Sequence, residues 1–192
     1  MLGIAVVIAA MVWLLPRFLP FSQVPENWLA DFRQAAFAKV AESNSDIVIV
    51  SVTEDTLASF PYRSPLDRKF LAEILDALEA AEVKAVGVDV LFDQPTEENK
   101  DRALYQRLRS FSRPLVVVSA DRSAGLTEMQ AQYLSAFLDG ITTGHANLLT
   151  DRIDGTVRRL FPGKDTPRGN TEPSLVAALA NALGVEAPTK AE

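Results

Sequence analysis

The chain has 192 residues, 48% apolar and 23% charged; this balance excludes wholesale disorder and allows one domain with a sizeable core, but not two full-sized ones. Its 25 acids against 19 bases give a net charge of -6, the opposite sign to that of an overall nucleic-acid binder, so no nucleic-acid partner is expected. Cysteine is absent, which excludes disulfides, thiolate metal sites and a cysteine nucleophile.

Every acid lies at or beyond Glu26, and residues 1–16 carry no charged side chain. Met1 to Leu15 reads as a continuous apolar helix former, interrupted by Pro16 and followed by Arg17. Fifteen helical residues rise about 22 Å against a hydrocarbon core of about 30 Å. Extension through Phe18, Leu19 and Phe21, with Arg17 reaching outward, brings the segment close to a span. No basic residue precedes the run and no A-x-A site follows it, which argues against a cleaved signal peptide. The expectation is a transmembrane helix over residues 1–21 whose start is cut short. The alternative is a buried core helix, although such helices usually show a polar stripe and this run has none.

In the acidic body, Asp46 to Thr53 is short, β-branched and nearly all apolar, as suits a strand buried on both faces. Ser64, Pro65 and Asp67 offer a helix start, and Leu66 to Ala81 carries apolar residues at helical spacing. Lys84 to Val90 is a second predicted strand. Thr96 opens a second helix, with Glu98 and Asp101 near its positive end. Leu115 to Ser119 is a third strand, and 127–138 a third amphipathic helix. This alternation predicts an α/β fold with a mainly parallel central sheet flanked by helices. Gly144 to Thr150 and Thr156 to Phe161 read as two strands around the turn-rich D-R-I-D-G, a C-terminal antiparallel hairpin. A last helix, Ser174 to Leu183, is stopped by Gly184. The predicted organisation is a membrane helix over 1–21, a globular domain over 22–184 and a tail or linker over 185–192.

In open α/β sheets, ligands gather at the carboxyl ends of the strands. Those ends carry Glu54 and Asp55, then Asp89 and Asp93, then Asp121 and Arg122. Convergent carboxylates can hold Mg²⁺ and a phosphate, which would make the domain a metal-dependent phosphohydrolase-like enzyme. The plainer reading has Glu54 and Asp55 capping a helix, Asp93 ending a loop, and Asp89 buried against amides or an arginine. No G-x-S-x-G elbow, P-loop or G-x-G-x-x-G turn is present. His145 is the sole histidine, which excludes a two-histidine metal site, and a structural role is favoured for it over a base. No cofactor is expected. Arg63 lies in the proline-bounded F-P-Y-R-S-P loop. Arg158 and Arg159 must point to opposite faces of a strand, so one needs an acidic partner, Asp89 or Asp154. The candidate ligand-binding rim is Arg63, Arg68, Asp89 and Asp93, with Asp154 and Arg158 from the hairpin; a structural ion pair is the alternative reading of these arginines.

Taken in order, these segments resemble the CHASE type 2 (CHASE2) family, the extracytoplasmic sensory domains of bacterial cyclases, histidine kinases and serine/threonine kinases. The resemblance rests on the apolar leader, W-L-A-D-F-R (Trp28 to Arg33), I-V-I-V-S-V-T-E-D (Ile47 to Asp55), F-P-Y-R-S-P-L-D-R (Phe60 to Arg68), V-K-A-V-G-V-D-V-L-F-D (Val83 to Asp93), G-H-A-N (Gly144 to Asn147), D-G-T-V-R-R (Asp154 to Arg159) and E-P-S-L-V-A-A-L-A (Glu172 to Ala180). It departs where the family loop carries tryptophans and this chain has Phe60 and Tyr62. The resemblance implies a non-catalytic sensor of an unknown small-molecule or protein signal, tethered to the cell membrane with its globular part on the periplasmic or extracellular side. It also implies a homodimer in the full receptor and an attached or partner cyclase or kinase, so that 192 residues are expected to be a fragment. A module that only dimerises receptors is a further alternative.

Overall fold

The computed structural model describes residues 3–4, 11, 23–39, 44–159, 162–165 and 171–187. The leader read as a membrane span lies outside these residues apart from Gly3, Ile4 and Met11. Among the described residues no helix is long and apolar enough to cross a membrane.

Two units make up the chain, Met1–Ser51 and Val52–Glu192. In the first, helix α1 (Gln23–Phe37) leaves Trp28, Leu29, Phe32 and Phe37 exposed. The run Asp46 to Thr53, predicted as a buried strand, belongs to no ladder, and Ile47 to Val50 are 55–84% exposed. β-branched composition suits a pleated surface, but a strand exists only where a neighbour accepts its backbone groups, and the run itself does not specify that neighbour.

The second unit is built on a three-stranded parallel sheet. β1 (Val86–Val88), β2 (Leu115–Ser119) and β3 (Thr143–His145) lie in chain order with β2 central. The register pairs Val86 with Leu115 and Val117 with Thr143. The parallel sheet is therefore as expected, but it starts one strand later in the chain than predicted. Helix α2 (Glu54–Leu57) is a single turn capped by Thr53. α3 (Arg68–Ala80) precedes β1, and Asp67 caps it by accepting from the Lys69 and Phe70 amides. α4 (Glu98–Ser110) joins β1 to β2 and packs on α3. α5 (Glu128–Phe137) joins β2 to β3 and starts with a reciprocal capping box between Thr127 and Gln130.

The core follows from this layering. Leu71 and Leu75 of α3, Leu104 and Leu108 of α4, and Leu134 and Phe137 of α5 pack with Val86, Leu115 and Val117 of the sheet around fully buried Phe92. Val116 and Val118 are also buried but alternate to the opposite face, where α6 (Leu175–Ala182) packs. A continuous apolar run suits a strand covered on both sides, which is why Leu115–Ser119 was legible.

Beyond β3 the chain forms two short antiparallel pairs. β4 (Leu149–Thr150) pairs with β5 (Val157–Arg159), and β6 (Gly163–Asp165) with β7 (Thr171–Pro173). The first is the predicted hairpin, shortened at its start because His145 still belongs to the main sheet. The end of its expected second strand, Leu160 and Phe161, lies outside the described residues.

Gly144 fixes how closely α6 approaches β3. A Cβ there would sit 2.6 Å from the Leu175 Cα and 2.8 Å from the Ser174 carbonyl oxygen, both backbone atoms at the capped start of α6. Gly144→Ala must push that helix off the sheet, and we expect it to destabilise the unit by about 1–3 kcal/mol or more. Chemical denaturation would measure it; a change within about 0.5 kcal/mol, the range of neutral surface substitutions, would contradict this packing.

Candidate functional site

The carboxyl ends of β2 and β3 open onto a cavity of about 480 Å³. β2 and its following turn supply Ser119, Asp121 and Arg122, and β3 supplies Gly144 and His145. α5 supplies an apolar wall that includes Leu134, and β7 supplies Glu172.

Two acid–base pairs mark the cavity. His145 is 5% exposed, and its Nε2 pairs with the Glu172 carboxylate, tying β3 to β7. The Lys164 ammonium on β6 donates to Asp121, which also accepts from the Ser123 amide at 2.9 Å. Lys164 first, and then Ser123, pulls the Asp121 carboxyl down to about 2. Arg122 reaches outward to Glu128 at 3.1 Å.

Among the described residues, three buried side-chain atoms have no hydrogen-bond partner: His145 Nδ1 in the cavity wall, Asn147 Oδ1, and Arg68 Nε, which has only the Asp101 carboxylate at 3.4 Å. The Asn147 amide nitrogen donates to Ser123 Oγ at 3.3 Å, which places Asn147 beside the Asp121–Lys164 pair. Native proteins rarely leave such atoms unpaired, and each one in a folded structure calls for an explanation.

Asp121 also sets a pH dependence. Its folded pKa lies below the unfolded value of about 4, so its contribution is complete above that pH and is lost as pH falls toward about 2. We expect the stability difference between wild type and Asp121→Asn to shrink across this window in denaturation curves. A difference that stays constant with pH would contradict the pairing.

The six residues expected to form one rim stand in different surroundings. Arg68 is 1% exposed. Its Nη2 donates to the Gln94 carbonyl at 3.2 Å, its Nε lies 3.4 Å from Asp101, and its guanidinium stands 4.6 Å over the Phe92 ring. Asp101 is held further by the Thr96 amide, the Thr96 hydroxyl and Tyr133, whose own hydroxyl is pushed up to about 12 by burial and by Asp101. Asp93 accepts from Gln130 at 2.7 Å and acts electrostatically on Arg68. Arg68 and Asp93 are thus joined in one network. Arg63 instead pairs with Glu54 at 2.6 Å on the open surface. Arg158 grips both carboxylate oxygens of Asp154, at 3.0 and 2.6 Å, and reaches Asp151 at 3.1 Å. This contact holds Asp154 well below the usual carboxylate range. Arg159 is exposed while Arg158 is half-buried, as strand alternation required.

Asp89 is exposed, correcting the expectation of a buried carboxylate. Val86 and Val88 face the core, so alternation turns Gly87 and Asp89 to the opposite side of edge strand β1, where Leu179 of α6 reaches Gly87 but Asp89, just past the strand, stays exposed. Thr53, rather than Glu54 or Asp55, supplies the capping oxygen of α2. Among the described residues, no group of three His, Asp or Glu side chains is placed to hold a metal ion.

Sequence reasoning reached Asp121 through its strand end but missed His145, Glu172 and Lys164 as site residues. His145 was read inside a strand running to Thr150; that strand ends at His145, so the residue stands at a strand end too. β6 and β7 carry no apolar alternation in G-K-D and T-E-P, and nothing local announced that they would deliver Lys164 and Glu172.

A family model described as CHASE2 domain matches residues 5–191, nearly the whole chain. No curated protein and no solved structure matches the chain significantly.

Proposed function

The chain belongs to the CHASE2 family of sensory domains, and from that premise we propose that it is the extracytoplasmic part of a membrane-bound receptor which binds a small polar solute in the cavity at the ends of β2 and β3. One observation supports the placement of the site: a nearly fully buried imidazole in the cavity wall keeps its Nδ1 without a hydrogen-bond partner among the described residues. A solute that supplies a hydrogen bond there would relieve it.

The proposed mechanism is a population shift. His145–Glu172 and Asp121–Lys164 tie the sheet to β7 and β6, so a ligand that competes for these partners favours a different arrangement of the β6–β7 pair. In the proposed receptor this difference passes through the membrane to a paired cyclase or kinase. The domain itself has no catalytic role in this reading.

The rim of Arg63, Arg68, Asp89, Asp93, Asp154 and Arg158 is the second candidate site. Its support is that Asp89 and Asp93 follow β1; against it, five of its six members already have side-chain partners.

A thermal-shift screen of the full chain in detergent against a solute library tests the choice. The cavity reading expects a hit whose shift disappears in Asp121→Asn and in His145→Ala. A hit unaffected by these but lost in Asp89→Asn and Arg63→Ala would move the site to the rim. Turnover of a phosphate ester with added Mg²⁺, abolished by Asp89→Asn, would instead favour an enzyme.

A further inference from the structure

Helix α1 carries an apolar stripe that no described residue of its own unit covers. Trp28 is 67% exposed, Phe32 65% and Leu29 55%. Pro25, Trp28, Phe32 and Ala35 follow one another at spacings of three, four and three, the a/d repeat of a two-helix seam. At 100° per residue, Leu29 and Ala36 widen that seam on one side, while Asn27, Ala30 and Gln34 lie away from it.

We propose that this stripe is the pairing surface with α1 of a second copy, in a parallel two-helix contact about a two-fold axis. The area argues for a partner of this kind. A buried aromatic contributes about 150–250 Å², so two aromatics exposed by two-thirds, together with Leu29 and the small residues beside them, offer about 500 Å² per helix. A pair would bury about 1,000 Å², the threshold at which a specific association becomes sustainable. A C2 contact is self-complementary, so a single stripe serves both copies without a separate receptor patch. The stripe itself stands on spacing and exposure; its parallel sense rests on the tethered-receptor reading, in which both copies enter from one membrane.

The absence of cysteine makes the test direct. In the full chain, single replacements Trp28→Cys, Phe32→Cys and Ala35→Cys, set against Asn27→Cys, Ala30→Cys and Gln34→Cys, are oxidised and run without reductant. A disulfide needs its Cβ atoms within about 4.5 Å, so seam positions are expected to cross-link at least about five-fold more than the others. A pattern that is flat, or strongest at 27, 30 and 34, would overturn the surface. Linkage at only one seam position indicates an antiparallel pair and overturns the parallel sense. None of these results alters the thermal-shift test of the cavity, so failure of either reading is separately visible.

Discussion

Phe92→Ala is expected to lower the stability of the second unit by about 3–5 kcal/mol, among the largest effects of any single substitution in this chain. Phe92 has no exposed surface, and its ring lies 5.2 Å from that of Phe137 and beneath the Arg68 guanidinium. Removing it opens a cavity where β1, α3 and α5 meet, and strips the apolar face from a buried cation. Urea denaturation at neutral pH measures the loss, with the linear slope retained if unfolding stays two-state. A loss near 1 kcal/mol would mean that the surrounding leucines collapse into the space and that the core is less closely packed than its contacts imply.

Arg68→Ala is the second large effect, again about 3–5 kcal/mol, because it removes one partner of a buried pair. Asp101 keeps the Thr96 and Tyr133 hydrogen bonds but loses its cation. Two controls separate charge from volume. Arg68→Met restores part of the packing while leaving the carboxylate uncompensated. Arg68→Met combined with Asp101→Asn removes both charges and should recover much of the loss. If the double variant were no better than Arg68→Met alone, the pair would not be the origin of the cost. Coupling between Phe92→Ala and Arg68→Ala should also exceed the error of additivity, about 0.5 kcal/mol, since the two side chains touch.

These expectations bear on which parts of the chain could be read from sequence. Helices α3, α5 and α6 were legible because each has a local stop or start: Asp67, Thr127 and Ser174 cap them with their own side chains. β2 was legible because burial on both faces demands an unbroken apolar run. The equally apolar Asp46 to Thr53 gave the same signal, yet it lies outside the sheet, because pairing depends on a neighbour distant in sequence. For Arg68 the sequence leaves an anion site and a structural ion pair both open; its burial and its Asp101 partner cannot be read from a loop motif, since Asp101 lies 33 residues away on α4.

The candidate site was half legible for the same reason. Asp121 was flagged by the rule that ligands collect at strand ends. His145 obeys that rule as well, once β3 is known to stop there. Lys164 and Glu172 arrive on a pair of three-residue strands whose sequences carry no period, so only the tertiary fold places them. The alternative rim, by contrast, was assembled from charged residues near strand ends, and most of those charges turn out to be engaged with one another or with near neighbours.

Hydrogen–deuterium exchange of the full chain, with and without the solute identified by thermal shift, tests the central claim most directly. The account predicts that added protection concentrates on residues 119–124, 143–147 and 171–173, and that it vanishes in His145→Ala. Protection confined to residues 60–68, 89–93 and 151–158, unchanged in His145→Ala, would contradict it.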